Sequence, residues 1–351
     1  MNNEVYYVGM DVHKKRISYC IKRKDGEIIE SDSIAATRKD LAKWLITTMD
    51  HPWIGAMEAT LFSGWIYDYL RPHFEKLKVG HPQMMKAISQ GKKKSDKLDA
   101  EKIADMIRAN LFPECYMMPK HLRELRQVLR YRNLLVRQGV RMHNKMATLL
   151  MEVGAEYSKR RLKGKRYFRE LLEKLQDVPE SVIGMLKMSR AAGELFDAAQ
   201  KKLIKSLHEN PDIRRRVDLL MTIDGVGKVT ALTWVLEIGE VGRFSSIKDI
   251  VSYCGLCSAQ KESAGKSFRQ PLSKQRNKHL QTILVEAAKL APIYNSQLAA
   301  LREKGLKKGN RNRATLAVAR KLVAYMHAVD LRQTAFEPRA AVLGQPVGSK
   351  E

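Results

Sequence analysis

The 351-residue chain reads as a mixed α/β domain followed by two stretches that are mainly helical. Three observations predict this. Short apolar, β-rich runs alternate with amphipathic segments through the first hundred or so residues, the pattern of a layered α/β domain. Between Pro119 and Leu150 there is no further proline and one glycine, Gly139, as in a long helix. Farther on, two apolar helical segments are joined by a Gly-x-Gly turn. The expected divisions are 1–112, 113–212 and 213–332, with a Pro/Gly-containing tail over 333–351 that should fray.

The amino-terminal elements follow in order. Val5 to Val12 is apolar on both faces, as a central strand must be, and delivers Asp11 near its end. Ile17 to Lys22 and Ile28 to Ile34 form two more strands around an Asp25-Gly26 turn signal. A helix over Lys39 to Met49 precedes a short strand, Trp53 to Met57, that ends at Glu58. A helix through Ile66 to Phe74 and a strand at Lys78 to Gly80 lead to the basic loop Gly91-Lys92-Lys93-Lys94. That loop runs straight into an acidic helix start, Ser95-Asp96-Lys97-Leu98-Asp99.

Charge bounds the partner. Lys and Arg number 64 against 38 Asp and Glu, a formal charge of +26, which points to a polyanion. No apolar run approaches a membrane-spanning length and no signal pattern precedes Val5, so a cytoplasmic, nucleoid-associated protein without membrane contact is expected. Cys20, Cys115, Cys254 and Cys257 are too few and scattered for a disulfide framework. The Cys254-Gly-Leu-Cys257 pair lacks the second ligand pair that zinc requires.

Positive charge is concentrated along the chain's middle. Between Lys120 and Lys145 eight basic residues face one acid, Glu124, where a solvated helix would mix signs. Arg123, Arg126, Arg130, Arg137 and Arg141 are therefore candidate nucleic-acid contacts, with Lys92, Lys93 and Lys94 upstream. Val128, Leu135, Met142 and Leu149 recur by sevens, an imperfect coiled-coil seam. Lys159, Arg160 and Arg161 stand near Tyr157, Tyr167 and Phe168, which either stack bases or belong to a core. Farther on, Gly225, Gly227 and Lys228 form a helix-hairpin-helix turn suited to a phosphate.

The acids are fewer and placed differently. Asp96 and Asp99 leave one helix face a turn apart and repel unless a cation joins them. Alone they read equally as first-turn acids that complement the helix dipole. Asp11 and Glu58, at two strand ends, raise the other possibility: four convergent carboxylates, a hard oxygen set suited to two-metal phosphodiester chemistry.

Three motifs match a known pattern: Gly9-Met10-Asp11-Val12-His13-Lys14, Met57-Glu58-Ala59-Thr60 and Lys94-Ser95-Asp96-Lys97-Leu98-Asp99-Ala100. The chain resembles the DEDD transposases of the insertion-sequence "one-ten" family, relatives of the Piv DNA invertases. An acid after an apolar strand also opens the phosphate loop of an actin-fold kinase, but that loop wants glycines where Val12-His13-Lys14-Lys15 stands. The resemblance, which spans nearly all of the chain, implies an RNase H-like (RuvC-like) first domain with Asp11, Glu58, Asp96 and Asp99 as a tetrad for two Mg²⁺ ions. It also implies a coiled-coil middle and a carboxy-terminal transposase domain. Further implied are donor and target DNA, a bridge RNA encoded by the element, and a homotetramer, a dimer of dimers whose active sites are shared between subunits.

The same resemblance assigns the carboxy-terminal motifs. Cys254-Gly255-Leu256-Cys257, the loop Glu262-Ser263-Ala264-Gly265-Lys266 and Ser273-Lys274-Gln275-Arg276 align with the family's serine region. The nucleophile then maps onto Ser263, although Ala264 replaces a glycine and Gln275-Arg276 replaces Arg-Gly. Ser273 is the second choice, since it also fits the N-cap of a helix from about Lys274. Lys266, Arg269, Lys274 and Arg276 would set cations around a reacting phosphate. The rivals are a metal-dependent junction-type nuclease that uses water, and a non-enzymatic nucleic-acid-binding protein.

Overall fold

A computed structural model describes residues 4–48, 51–88, 95–263 and 266–338, without side chains at 260–263, 266, 267, 269 and 270. The chain divides into two compact units, Met1–Lys120 and His121–Glu351.

The first unit is built on one sheet. β1 (Tyr6–Val12), β2 (Arg16–Lys22) and β3 (Ile28–Ala35) form an antiparallel meander, with Gly26 at φ +104° supplying the turn before β3. α1 (Arg38–Thr48) leads to β4 (Trp53–Glu58), and α2 (Ser63–Leu70) to β5 (Lys76–Gly80); both strands run parallel to β1. α3 (Pro82–Ile88) and α4 (Asp96–Arg108) complete the unit. The order β3-β2-β1-β4-β5 is RNase H-like, as the resemblance implied.

Alternation along the strands sorts the two faces. Val8, Met10, Val12, Trp53 and Met57 turn to one side, where they join Leu41, Trp44, Ile66, Leu70 and Phe74 in the main core. Gly9, Asp11, Ala56 and Cys20 turn to the other, which α4 covers with Ala100 and Ala104. Lys22 lies on that face too. Its side chain, 5% exposed, reaches Asp105 at 2.8 Å and Glu101 at 3.1 Å on α4.

The second unit is mainly helical: α5 (Lys120–Glu152), α6 (Lys165–Lys174), α7 (Glu180–Glu209), α8 (Pro211–Met221), α9 (Lys228–Ile238) and α10 (Ile247–Tyr253), then α11 (Lys278–Tyr294), α12 (Ser296–Leu306) and α13 (Arg311–Arg332). α5 and α7 run antiparallel: Arg132 Nε donates to Gln200 Oε1 at 2.9 Å, and a Cβ on Gly193 would lie 3.8 Å from Met142 Cβ. Met142 of the heptad-spaced series thus faces a helix of its own chain. Asp330 on α13 is 2% exposed and accepts both arms of Arg216 from α8 at 2.8 Å and the Trp234 indole N–H from α9 at 2.9 Å.

One expectation fails here. The polar stretch from Ser258 is no simple loop before a helix at Lys274. It is a two-stranded hairpin, β6 (Ser258–Ser263) with β7 (Lys266–Leu272), and the helix starts at Lys278. Asn277, not Ser273, is its N-cap, accepting from the His279 and Leu280 amides at 3.0 and 3.3 Å. Ser273 Oγ accepts from the Gln275 amide instead, at 3.1 Å. Alternation in Ser258–Leu272 was hidden because its residues are polar on both faces.

Candidate metal centre and nucleic-acid interface

β1 and β4 pair in parallel, with Met10 opposite Met57. Asp11 and Glu58 are the next residues along the two strands and share the parity of Gly9 and Ala56, whose face α4 covers. α4 approaches this face closely because Gly9, two residues before Asp11, has no side chain; a Cβ there would stand 2.1 Å from the Ala100 carbonyl oxygen. Asp96 lies one turn before Ala100, so its carboxylate leaves the helix over the strand ends. Ser95 caps α4 by accepting from the Leu98 amide at 3.3 Å, which fixes where the acidic turn begins.

The result is a compact cluster. His13 Nε2 lies 3.1 Å from Asp11 Oδ2 and 3.6 Å from Asp96 Oδ1. One ligand atom from each of Asp11, His13 and Asp96 falls within 4.8 Å of the others. Asp99 borders the group, and its Oδ1 is 3.6 Å from Lys102 Nζ. Burial pushes the Asp11 carboxyl up. His13 opposes that push through its charge and hydrogen bond, while the negative charges of Asp96 and Asp99 add to it. A side chain only 12% exposed, facing two further carboxylates, calls for a cation. Hard oxygen donors of this kind fit a divalent ion such as Mg²⁺.

His13 was not picked out from the sequence as a site residue. The signal was present: it follows Asp11 by two positions, the spacing that keeps neighbours on one side of an extended strand.

The basic candidates divide by environment. Lys92, Lys93 and Lys94 lie outside the described residues. Arg137 and Arg141 are exposed on α5, as are Lys159, Arg160 and Arg161 beyond it. Arg130 is engaged: its guanidinium donates to Glu237 Oε1 and Oε2 at 2.8 and 2.7 Å. Arg126, one turn away, is half-buried, and burial together with Arg130 pulls its pKa down. Arg123 also has an interaction partner. The neighbouring aromatics belong to a core: Phe168 is buried, and Tyr157 and Tyr167 pack against the same cluster. Arg161 lies 4.5 Å from the Tyr167 ring centroid.

The helix-hairpin-helix glycines have different duties. Gly225, at φ +86°, is pressed against α11, where a Cβ would stand 2.5 Å from Ala291 Cα. Gly227 caps α9, with nothing within 4 Å of a Cβ built there, and Lys228 follows. Of the two, only Gly227 leaves room for a phosphate. On the hairpin, Ser263 and Lys266 are backbone partners across the β6–β7 turn. The side chains of Ser263, Lys266 and Arg269 lie outside the described residues. Lys274 is exposed, and Arg276 donates to the Ser273 carbonyl at 2.6 Å.

Among the described residues no helix is long and apolar enough to cross a membrane. Two family profiles match the chain: a DEDD profile of the IS110 group, described as "Transposase", over residues 8–155, and one described as "Transposase IS116/IS110/IS902 family" over residues 217–303. The transposase for insertion sequence element IS1328 of Yersinia enterocolitica is 23% identical over 345 residues, 95% of this chain and 98% of that protein. The transposase for insertion sequence element IS1111A of Coxiella burnetii is 26% identical over 269 residues, covering 73% and 71%. The pilin gene-inverting protein of Moraxella bovis is 27% identical over 135 residues, covering 37% of this chain and 41% of its own. With the RNase H-like sheet and its acidic cluster in place, these matches identify the chain as a member of the IS110/IS1111 family of transposases, enzymes that cut and join DNA.

Proposed function

We propose that this transposase breaks and reseals DNA through a covalent phosphoserine link, with Ser263 as the attacking group and Asp11, Glu58, Asp96 and Asp99 as the holders of two divalent ions. The observation that supports the reading is the gathering of Asp11 and Asp96 around His13; Glu58 follows Met57, the strand partner of Met10, and is included with Asp99 by resemblance to the family's tetrad. When bound, the ions would polarise the scissile phosphate and activate the attacking hydroxyl.

The chain's own groups do the rest. The Ser263 hydroxyl gives up its proton as its oxygen bonds to phosphorus, and the departing sugar oxygen takes up a proton as the old P–O bond breaks. Reversal with a new DNA end rejoins the strand. Lys266, Arg269, Lys274 and Arg276 supply positive charge beside the serine as the phosphate passes through its five-coordinate state. Exposed Arg137, Arg141, Lys159, Arg160 and Arg161 suit nucleic-acid backbone.

The proposal extends to donor and target DNA chosen by a bridge RNA, acted on by a tetramer. The excess of positive charge fits two nucleic acids as well as one. The test is a denaturing gel of end-labelled DNA after reaction. A protein-linked band is expected from the native chain and absent from Ser263→Ala and Asp11→Asn. Cutting that persists in Ser263→Ala with no protein attached identifies water as the nucleophile and defeats the serine reading. RNase treatment before DNA is added should abolish the reaction if RNA guides it.

A further inference from the structure

We infer that Glu237 is a positioning residue that fixes the base of the β6–β7 hairpin in one frame with helix α5. The inference rests on the strand-transfer reading above, in which that hairpin carries the attacking serine.

Glu237 lies in the last turn of α9 with its side chain fully enclosed. Its two oxygens accept the fork of Arg130 from α5, and Oε2 also accepts from Asn277 Nδ2 at 2.8 Å. Asn277 is tied in twice more. Its Oδ1 closes the first turn of α11, and its backbone amide donates to the Tyr253 carbonyl at 3.0 Å. The Tyr253 hydroxyl in turn donates to the Glu237 carbonyl at 3.1 Å. One buried carboxylate thus sets where α11 begins.

That point governs the hairpin. β7 ends at Leu272, five residues before Asn277. The short connection is held at both ends: the Ser273 amide donates to Cys257 O at 3.2 Å, and Arg276 donates to Ser273 O. The Arg276 side chain also lies against Gly255, at φ +71°, where a Cβ would stand 2.6 Å from Arg276 Cβ. A two-stranded ribbon is marginal on its own, so its aim is set by what holds its feet.

Only a carboxylate meets these demands. An amide would turn an N–H toward either the guanidinium or the Asn277 amide, leaving buried donors opposed. Burial pushes the Glu237 carboxyl up, but the hydrogen bonds and charge of Arg130, with the hydrogen bond from Asn277, outweigh it and hold the group below the usual range. It stays ionised at neutral pH. Arg130 is then a strut between α5 and the Glu237 carboxylate, though its side chain is still 44% exposed, and Arg137 and Arg141 on the same helix are exposed as well.

The test uses the full chain carrying Glu237→Gln, Asn277→Ala or Asn277→Ser. Serine keeps a capping oxygen but has no amide to reach Glu237. An Arg130→Met/Glu237→Leu pair, which buries no charge, guards against simple unfolding. Hydrogen exchange of the peptide covering residues 273–281, DNA affinity and the rate of protein–DNA linkage are measured for each. In every variant exchange should quicken at least about tenfold and linkage should slow on the order of 10–100-fold, as a misplacement near 1 Å does, with affinity within about threefold. Unchanged exchange and linkage in Glu237→Gln overturn the proposal, as does wild-type behaviour of Asn277→Ser, which would leave capping as the whole role. A fall in affinity that accounts for the slower linkage also overturns it, returning Arg130 to the phosphate contacts. If the native chain forms no protein–DNA link, the serine reading fails, and the exchange measurement alone decides the role of Glu237.

Discussion

Gly9 on β1 and Ala100 on α4 meet backbone to backbone: a Cβ on Gly9 would stand 2.1 Å from the Ala100 carbonyl oxygen and 2.3 Å from the Ala104 nitrogen. Neither atom can move without shifting the helix. Gly9→Ala is therefore expected to cost about 2–3 kcal/mol, at the upper part of the overpacking range, and to lift α4 off the sheet. Thermal unfolding should register the loss. Divalent-ion binding, followed by Mn²⁺ titration, should weaken as well, because Asp96 and Asp99 travel with the helix.

Asp11 should show opposite signs with and without metal. Burial and its acidic neighbours disfavour its charge, so Asp11→Asn should raise ion-free thermal stability, by about 1 kcal/mol. The same change should remove most of the stabilisation that divalent ions bring. Calorimetry in EDTA and in Mg²⁺ checks both signs. An Asp11→Asn protein destabilised in EDTA and still stabilised by Mg²⁺ would remove Asp11 from the metal site.

Lys22 ties the far end of the same helix to the sheet. Burial pulls its pKa down, but hydrogen bonds and charge from Asp105 and Glu101 prevail and raise it. A raised lysine pKa contributes stability that is complete below its ordinary value of 10.5 and fades as pH climbs through the folded one. Lys22→Met is expected to cost about 1–3 kcal/mol at pH 7, since both acids keep access to water, and the gap to wild type should narrow only in strong alkali.

Two glycines of one motif should separate packing from recognition. Gly225→Ala forces a side chain onto a left-handed backbone and into Ala291, and should cost at least about 2 kcal/mol. Gly227→Ala meets open space at φ −83° and should stay within about 0.5 kcal/mol. If Gly227 admits a phosphate, its alanine variant weakens DNA binding in a filter or fluorescence assay while the melting curve barely moves.

Glu237 gives acid sensitivity to the second unit. Its folded pKa is depressed, so its contribution is present above the ordinary value of 4.5 and drains away as pH falls through the lower folded value. Wild-type stability should drop across that window, and Glu237→Gln, less stable at neutral pH, should drop less. Denaturant midpoints measured from pH 6 to pH 3 check the slope.

What the sequence disclosed follows from where its periodicity is strong. The strands were legible because β1 and β4 are apolar on alternate or both faces, and their ends marked Asp11 and Glu58. The parallel pairing of β1 with β4, which carries both acids, was not legible, since nothing local states which strand pairs with which. Gly9 opens a motif, but its packing duty was not legible because the need is tertiary: it makes room for the backbone of Ala100 and Ala104 on a distant helix. Charge left a different gap. Arg130 shares a basic helix with Arg137 and Arg141, yet its partner Glu237 lies 107 residues downstream, and no helical spacing reveals that. The hairpin stayed hidden because Ser258–Leu272 lacks an apolar face.

The enclosed Asp330, gripped by Arg216 and Trp234, says what the second unit loses when α13 is cut short. The Phe336 amide bond to Thr222 adds a second tie, and a stop codon inside α13 is the way to test both. One placed before Asp330 would strand a guanidinium and an indole N–H in the interior and should leave α8, α9 and the remnant of α13 without a common anchor.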